Sequence, residues 1–168
     1  TQEALSTAGE CDLVAMCRLA LHRADLERRN SYLPLDLPRL WAAVGNVARA
    51  EALVRSIPED GGKRGVALAL LAPQLASAGH HAHAERLVGM IPGRLWNTQD
   101  EPGMAISEVA RHLAEGGSRE RALTVALSAP TPYWQGRAMV GVAVGIARAG
   151  GSLAEAEALV EQISMPYW

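Results

Sequence analysis

The sequence predicts an all-α fold, an α-α superhelix (solenoid) of antiparallel helix pairs with a period of about 34 residues. Three observations predict it. Four segments align on a glycine and on an alanine five residues later: GNVARAEALVRSIP from Gly45, GHHAHAERLVGMIP from Gly79, GSRERALTVALSAP from Gly117 and GSLAEAEALVEQIS from Gly151, with glycine spacings of 34, 38 and 34. Upstream of three of these glycines, GVALALLAPQLASAG, GMAISEVARHLAEGG and GRAMVGVAVGIARAGG repeat apolar residues at intervals of three and four, the period of a helix face. The composition agrees. Of 168 residues 49% are apolar, yet there is no Phe and thirty are Ala, so the core has to be built from closely approaching helices.

Residues 1–34 fit the period poorly. Cys11 to Arg29 reads as one amphipathic helix with Leu13, Met16, Cys17, Leu21 and Ala24 turned inward, a capping helix or a diverged repeat. Pro34 and Pro38 break the chain after it, and the array occupies 35–168, with units near 35–58, 59–92, 93–130 and 131–164 and the start of a further unit at 165–168. The first unit has a shortened helix A around Leu40 to Val44. In the later units Gly79, Gly116 and Gly150 stand where a residue of positive φ would end helix A, and Ser118 and Ser152 stand where helix B would be capped. Pro58, Pro92 and Pro130 stop helix B, whereas Pro73 falls inside a helix A and should bend it. Within helix B, Ala50, Ala84, Ala122 and Ala156 permit close approach. Leu53, Leu87 and Leu159 with Ile57, Ile91 and Ile163 supply the inward stripe. One such hairpin cannot bury its stripe alone, so neighbours must stack. Pro132-Tyr133-Trp134 recurs as Pro166-Tyr167-Trp168, and Trp96 precedes Trp134 by 38 residues; these aromatics are candidates for partner contact or for packing on the preceding helix B. A four-residue insertion between Leu95 and Pro102 lengthens one unit.

A 34-residue helix-turn-helix period with Gly in the turn and Ala early in helix B resembles the tetratricopeptide repeat superfamily, over roughly residues 35–168. Counting from Gly65, Ala72 matches the small residue of helix A, Leu75 its aromatic, Gly79 the turn, Ala84 the small residue of helix B and Val88 its packing aromatic. In the next unit Ala110, Leu113, Gly117, Ala122 and Ala126 correspond. The family's Trp and Tyr of helix A and Phe of helix B are absent, and the Pro comes about one turn early, which marks a divergent, Ala-rich branch. The units also resemble repeat arrays attached to regulatory proteins of high-GC bacteria. The resemblance implies a concave groove lined by helix A through Val66, Ala69 and Pro73, then Met104, Ser107 and Arg111, then Arg137, Val140, Val144 and Arg148. Such a surface, apolar with arginines at one end, suits an extended or helical segment ending in a carboxylate.

Sixteen basic against eighteen acidic residues leave a net charge of -2, so no whole-chain field draws the protein to nucleic acid or an anionic membrane. Fifteen of the sixteen cations are Arg and one is Lys63, a bias expected of a GC-rich genome. The longest apolar run, Ala138 to Ala147, is half the length of a bilayer span. Cys11 and Cys17, six residues apart on one helix, cannot bridge each other, which suggests a reducing, cytoplasmic setting. His80, His81 and His83 with Glu85 form the one ligand-like cluster, which could hold Zn²⁺ or Ni²⁺ but lacks the i, i+4 pair of a metal-binding helix. No phosphate loop, Gly-x-Ser-x-Gly elbow or paired-Cys motif is present. The expectation is therefore a non-catalytic interaction module without cofactor. Its partner would be a protein or peptide, or another domain of the same polypeptide, with self-association through the open C-terminal end as a further expectation. An RNA-binding helical array is the alternative, and it would need a recurring polar residue at one inner position, which Pro73, Arg111 and Val144 are not. Metal-dependent activity at the histidines is the second alternative.

Overall fold

The computed structural model describes residues 2–30, 32–59, 62–92, 95 and 100–163. Among these the chain forms nine α-helices and no strand: α1 (Gln2–Asn30), α2 (Leu37–Ala43), α3 (Val47–Ser56), α4 (Lys63–Ser77), α5 (His81–Gly89), α6 (Glu101–Glu115), α7 (Arg119–Leu127), α8 (Pro132–Arg148) and α9 (Leu153–Glu161). Helices α2 to α9 follow one another as four pairs, each a first helix, a turn and a second helix, which is the shorter of the two in every pair but the first. The first helices α2, α4, α6 and α8 pack in succession, and each second helix packs on its own first helix; α3, α5 and α7 also touch the first helix of the pair that follows. No described helix is long and apolar enough to cross a membrane.

The turns explain the pairing. Gly45, Gly79, Gly117 and Gly150 all have φ between 76° and 82°, the left-handed region in which a residue with a Cβ is strained. Around each, two backbone bonds close the first helix. The glycine N–H donates to the carbonyl three residues back, and the next N–H reaches back five: Asn46 to Trp41 (2.9 Å), His80 to Leu75 (2.8 Å), Ser118 to Leu113 (2.8 Å) and Gly151 to Ile146 (2.9 Å). The expected left-handed residue at Gly116 is instead Gly117, because Gly116, which caps the end of α6, has φ of -79°. In the last pair Gly150, not Gly151, takes that role, so Gly151 is one extra turn residue. Ser118 and Ser152 do precede α7 and α9 but make no side-chain cap, whereas Asn46 accepts from the Arg49 amide at 3.1 Å.

Small residues set the helix separations. Ala50, Ala84, Ala122 and Ala156 are all buried, with Ile57, Leu87, Ile91 and Leu159; Leu53 and Ile163 are half-buried. Between α6 and α8 the backbones nearly touch, since a Cβ on Gly141 would stand 2.6 Å from the Ser107 carbonyl oxygen and one on Gly145 would overlap Arg111 and Ala114. Gly103 leaves room for the Trp134 ring, and Gly65 for Leu95. Trp134 thus packs against Gly103 of the preceding first helix, α6. Pro73 is accommodated within α4, which runs unbroken from Lys63 to Ser77.

The reading of α1 needs correction. The helix begins at Gln2 rather than Cys11, and its supposed inward stripe is in solvent: Leu13 is 65% exposed and Leu21 72%, and Met16, Cys17 and Ala24 are exposed too. From Leu13 to Leu21 only Arg18 is charged, so the segment is apolar on all sides and has no single face to turn toward a core. Among the described residues no other helix makes extensive contact with α1.

Candidate functional site

The surface formed by the first helices holds a cleft of about 310 Å³ between α4 and α6, reached by Arg39 from α2. Its floor is Ala69, Leu70, Pro73 and Ala105, with the half-exposed Met104 beside them. Its rim is polar, made by Gln74, Ser77, Glu101, Glu108 and His112. Short floor residues at the three- and four-residue spacing let α4 and α6 approach while leaving a furrow above the contact, and Pro73 contributes no amide donor to it. Of the residues expected to line a groove, Ala69, Pro73 and Met104 meet here. Val66 is half-buried one turn before Ala69, and Ser107 donates through Oγ to the Arg137 carbonyl at 3.1 Å, closing the α6-α8 contact. Arg137, Val140, Val144 and Arg148 lie on one exposed face of α8.

Arg111 is not a free guanidinium. Its Nη2 pairs with Glu108 and its Nη1 with Glu115 at 2.6 Å, while Arg148 reaches the same Glu115 oxygen at 3.1 Å. His112 completes the cluster, 3.0 Å from Glu115. Burial and then the Arg111 charge hold the His112 imidazole below its ordinary pKa, against the pull of the two glutamates. Burial raises the Glu115 carboxyl, but hydrogen bonds from Arg148 and Arg111 outweigh it and leave it below the usual carboxylate range. A carboxylate ligand at Arg111 would have to displace two internal ones. Arg137, by contrast, has no carboxylate partner among the described residues.

The second helices are joined by charged pairs that sequence reasoning missed. Glu51 of α3 is buried to all but 8% and accepts from His83 Nδ1 (2.6 Å) and Arg86 Nη2 (2.5 Å) of α5. Burial alone would raise its pKa, and those two hydrogen bonds bring it below the usual range instead. Glu85 of α5 holds Arg121 of α7 through both oxygens at 2.9 and 3.0 Å, and Arg119 of α7 meets Glu155 of α9 at 3.0 Å. The signal was present: Glu51 and Glu85 each follow the buried alanine of their helix, and His83 and Arg121 each precede theirs. This disperses the histidine cluster. His83 binds Glu51, His81 rests against Gly116, and His80 meets His83 only edge to face at 6.1 Å. No group of three His, Cys, Asp or Glu among the described residues is arranged to hold a metal ion.

Of the candidate aromatics, Trp134 is buried while Tyr133 is half-exposed and stacks edge-on against it at 4.9 Å. Trp96, Tyr167 and Trp168 lie outside the described residues. Comparison of the chain with protein-family models, with curated proteins and with solved structures finds no match.

Proposed function

We propose that the chain is a non-catalytic interaction module, a tetratricopeptide-like α-α superhelix that binds a peptide or a partner domain along the surface of its first helices. The α4-α6 cleft is the observation that carries this reading: an apolar floor of alanines, Pro73 and Met104 under a rim of hydrogen-bonding groups, the composition of a site that grips a short segment by shape and orients it by a few polar contacts. The rim also refines the ligand. With Arg111 neutralised internally and Glu101 and Glu108 at the edge, the cleft favours a segment with a polar or basic residue over one ending in a carboxylate. The near-zero net charge and the glutamates at the rim weigh against the RNA reading.

A peptide-display selection on the immobilised chain tests it, run in parallel on Met104→Arg, which fills the cleft with a charge, and on Leu127→Arg, an equally exposed residue outside the cleft. The expected result is a peptide family enriched by the wild type and by Leu127→Arg but not by Met104→Arg. Enrichment of the same peptides by all three, or of none by any, refutes the assignment.

A further inference from the structure

The four helix pairs bury one another in a fixed register, and the last pair exposes what the others cover. The residue four positions after the buried alanine of each second helix is Val54 at 1% exposure, Val88 at 5% and Ala126 at 0%; in α9 it is Val160, at 47%. On the first helices the same holds, since Ala76 and Ala114 are buried and their counterpart Ala147 is exposed. Among the described residues the edge of α8 and α9 is uncovered, and it is shaped to receive another helix pair. At the opposite end, Leu40 of α2 is exposed where its counterparts Gln74 and His112 are half-buried and Gly145 is buried against the preceding pair, so α2 presents the face that a preceding pair would cover.

The charges choose the occupant. At two of the three internal junctions a glutamate directly after the buried alanine binds the residue directly before the buried alanine of the next second helix: Glu51 with His83, and Glu85 with Arg121. The third junction uses a reversed pair, Arg119 with Glu155. In that register the terminal member on α9 is Glu157, exposed and without an ion-pair partner among the described residues, and the missing member on α3 is Arg49, exposed, resting over the Trp41 ring and likewise bound to no carboxylate there. The flanking charges agree in sign: α9 carries Glu155, Glu157 and Glu161 and no base, with Glu155 held by Arg119, whereas α2 and α3 carry Arg39, Arg49 and Arg55 against the single Glu51, which Arg55 approaches at 3.9 Å. Extensive contact with α1 does not cover the α2-α3 edge.

We propose that a second copy of this chain seats its α2-α3 pair on the α8-α9 edge of the first, head to tail, with Glu157 of one copy bound to Arg49 of the next. The contact is heterologous and does not close on itself, so it propagates with concentration instead of stopping at a dimer.

Sedimentation equilibrium over a concentration series tests it; Glu157 is exposed, and because Arg49 rests on the Trp41 ring, helicity and urea midpoint by circular dichroism check that each variant keeps the fold. The wild type should show an average mass that rises past twice the monomer. Glu157→Arg and Arg49→Glu should each weaken association by about tenfold or more. An equimolar mixture of the two single variants should recover it, because each supplies the charge that the other lacks. A chain that stays monomeric at every concentration, a mass that levels off at the dimer, association indifferent to both reversals, or a mixture no better than its components would each overturn the proposal.

Discussion

Gly141→Ala separates two opposed effects that the structure places at one residue. Within a helix, alanine is favoured over glycine by up to about 1 kcal/mol, so propensity alone predicts stabilisation. At Gly141, however, the new methyl would stand 2.6 Å from the Ser107 carbonyl oxygen and 3.0 Å from its Oγ, and the obstacle is backbone, not the end of a flexible side chain. Relief requires α8 to withdraw from α6 along their most extensive contact, and overpacking of that kind costs about 1–3 kcal/mol. Because the obstacle is backbone at 2.6 Å, the cost falls in the upper part of that range, about 2–3 kcal/mol. After the propensity gain of about 1 kcal/mol the net is a loss of about 1–2 kcal/mol, or roughly 2–8 °C in Tm for a domain of this size. Gly89→Ala is the control: the residue is helical, its Cβ would meet nothing within 4 Å, and only the propensity gain remains. Urea unfolding followed by circular dichroism should move the midpoint down for Gly141→Ala and up for Gly89→Ala. A Gly141→Ala chain as stable as the wild type or more so would refute the reading that α6 and α8 are in backbone contact.

Glu51→Gln should destabilise by about 1–2 kcal/mol, since His83 and Arg86 lose a nearly buried acceptor charge while both keep access to solvent; a urea midpoint unchanged at neutral pH would contradict the role of Glu51 as a junction between α3 and α5. Acid should weaken the wild type in two stages. His112, Glu51 and Glu115 all have folded pKa values below their ordinary ones, so the unfolded chain takes up protons first and stability falls as pH drops, through His112 below its ordinary 6.5 and through the carboxylates below 4.5. Urea midpoints at about pH 7.5, 5.5 and 3.5 check this order, and a maximum at the acid end would reverse the sign. Removal of residues 2–30 should leave the unfolding midpoint within about 0.5 kcal/mol of the full chain, and amides of 13–29 should exchange far faster than those of α6; protection of α1 equal to that of α6 would show that it is packed.

Local chemistry made the helices legible, and long-range packing concealed the rest. The glycine and alanine positions were readable because a left-handed turn and a close helix approach each admit few residue types, so Gly45, Gly79, Gly117 and Gly150 mark the turns whatever surrounds them. The choice between Gly116 and Gly117 was not readable, because adjacent glycines satisfy the same local rule and only the hydrogen bond from Ser118 to Leu113 decides. The orientation of α1 failed for another reason. Its apolar residues fall on every side, so a stripe can be drawn through Leu13, Met16 and Leu21 that nothing in the fold receives. At the cleft, Ala69, Pro73 and Met104 were expected from the resemblance to tetratricopeptide arrays, while Arg39, Gln74 and His112 come from three helices whose separation no local pattern specifies. The glutamate links required comparing equivalent positions across pairs rather than reading along the chain.

Arg111 shows how far such a link can change a residue's meaning. On sequence it is a candidate anchor for a ligand carboxylate; in the structure it neutralises Glu108 and Glu115 and sits against His112 Nε2 at 2.8 Å. Removing it should therefore release negative charge at the cleft instead of abolishing binding. In Arg111→Ala, His112 loses a cation that lowers its pKa and keeps Glu108 and Glu115, which raise it, while Arg148 still partners Glu115. The imidazole should then titrate at higher pH than in the wild type, read from its ring proton shifts by NMR, and any basic segment selected by the cleft should bind with a steeper dependence on salt. Because the residual carboxylates favour the charged imidazolium, the shift has one permitted sign: a His112 titration unchanged or moved to lower pH would mean that Arg111 does not face this cluster, and the carboxylate-anchor role expected from the sequence would return as the better account.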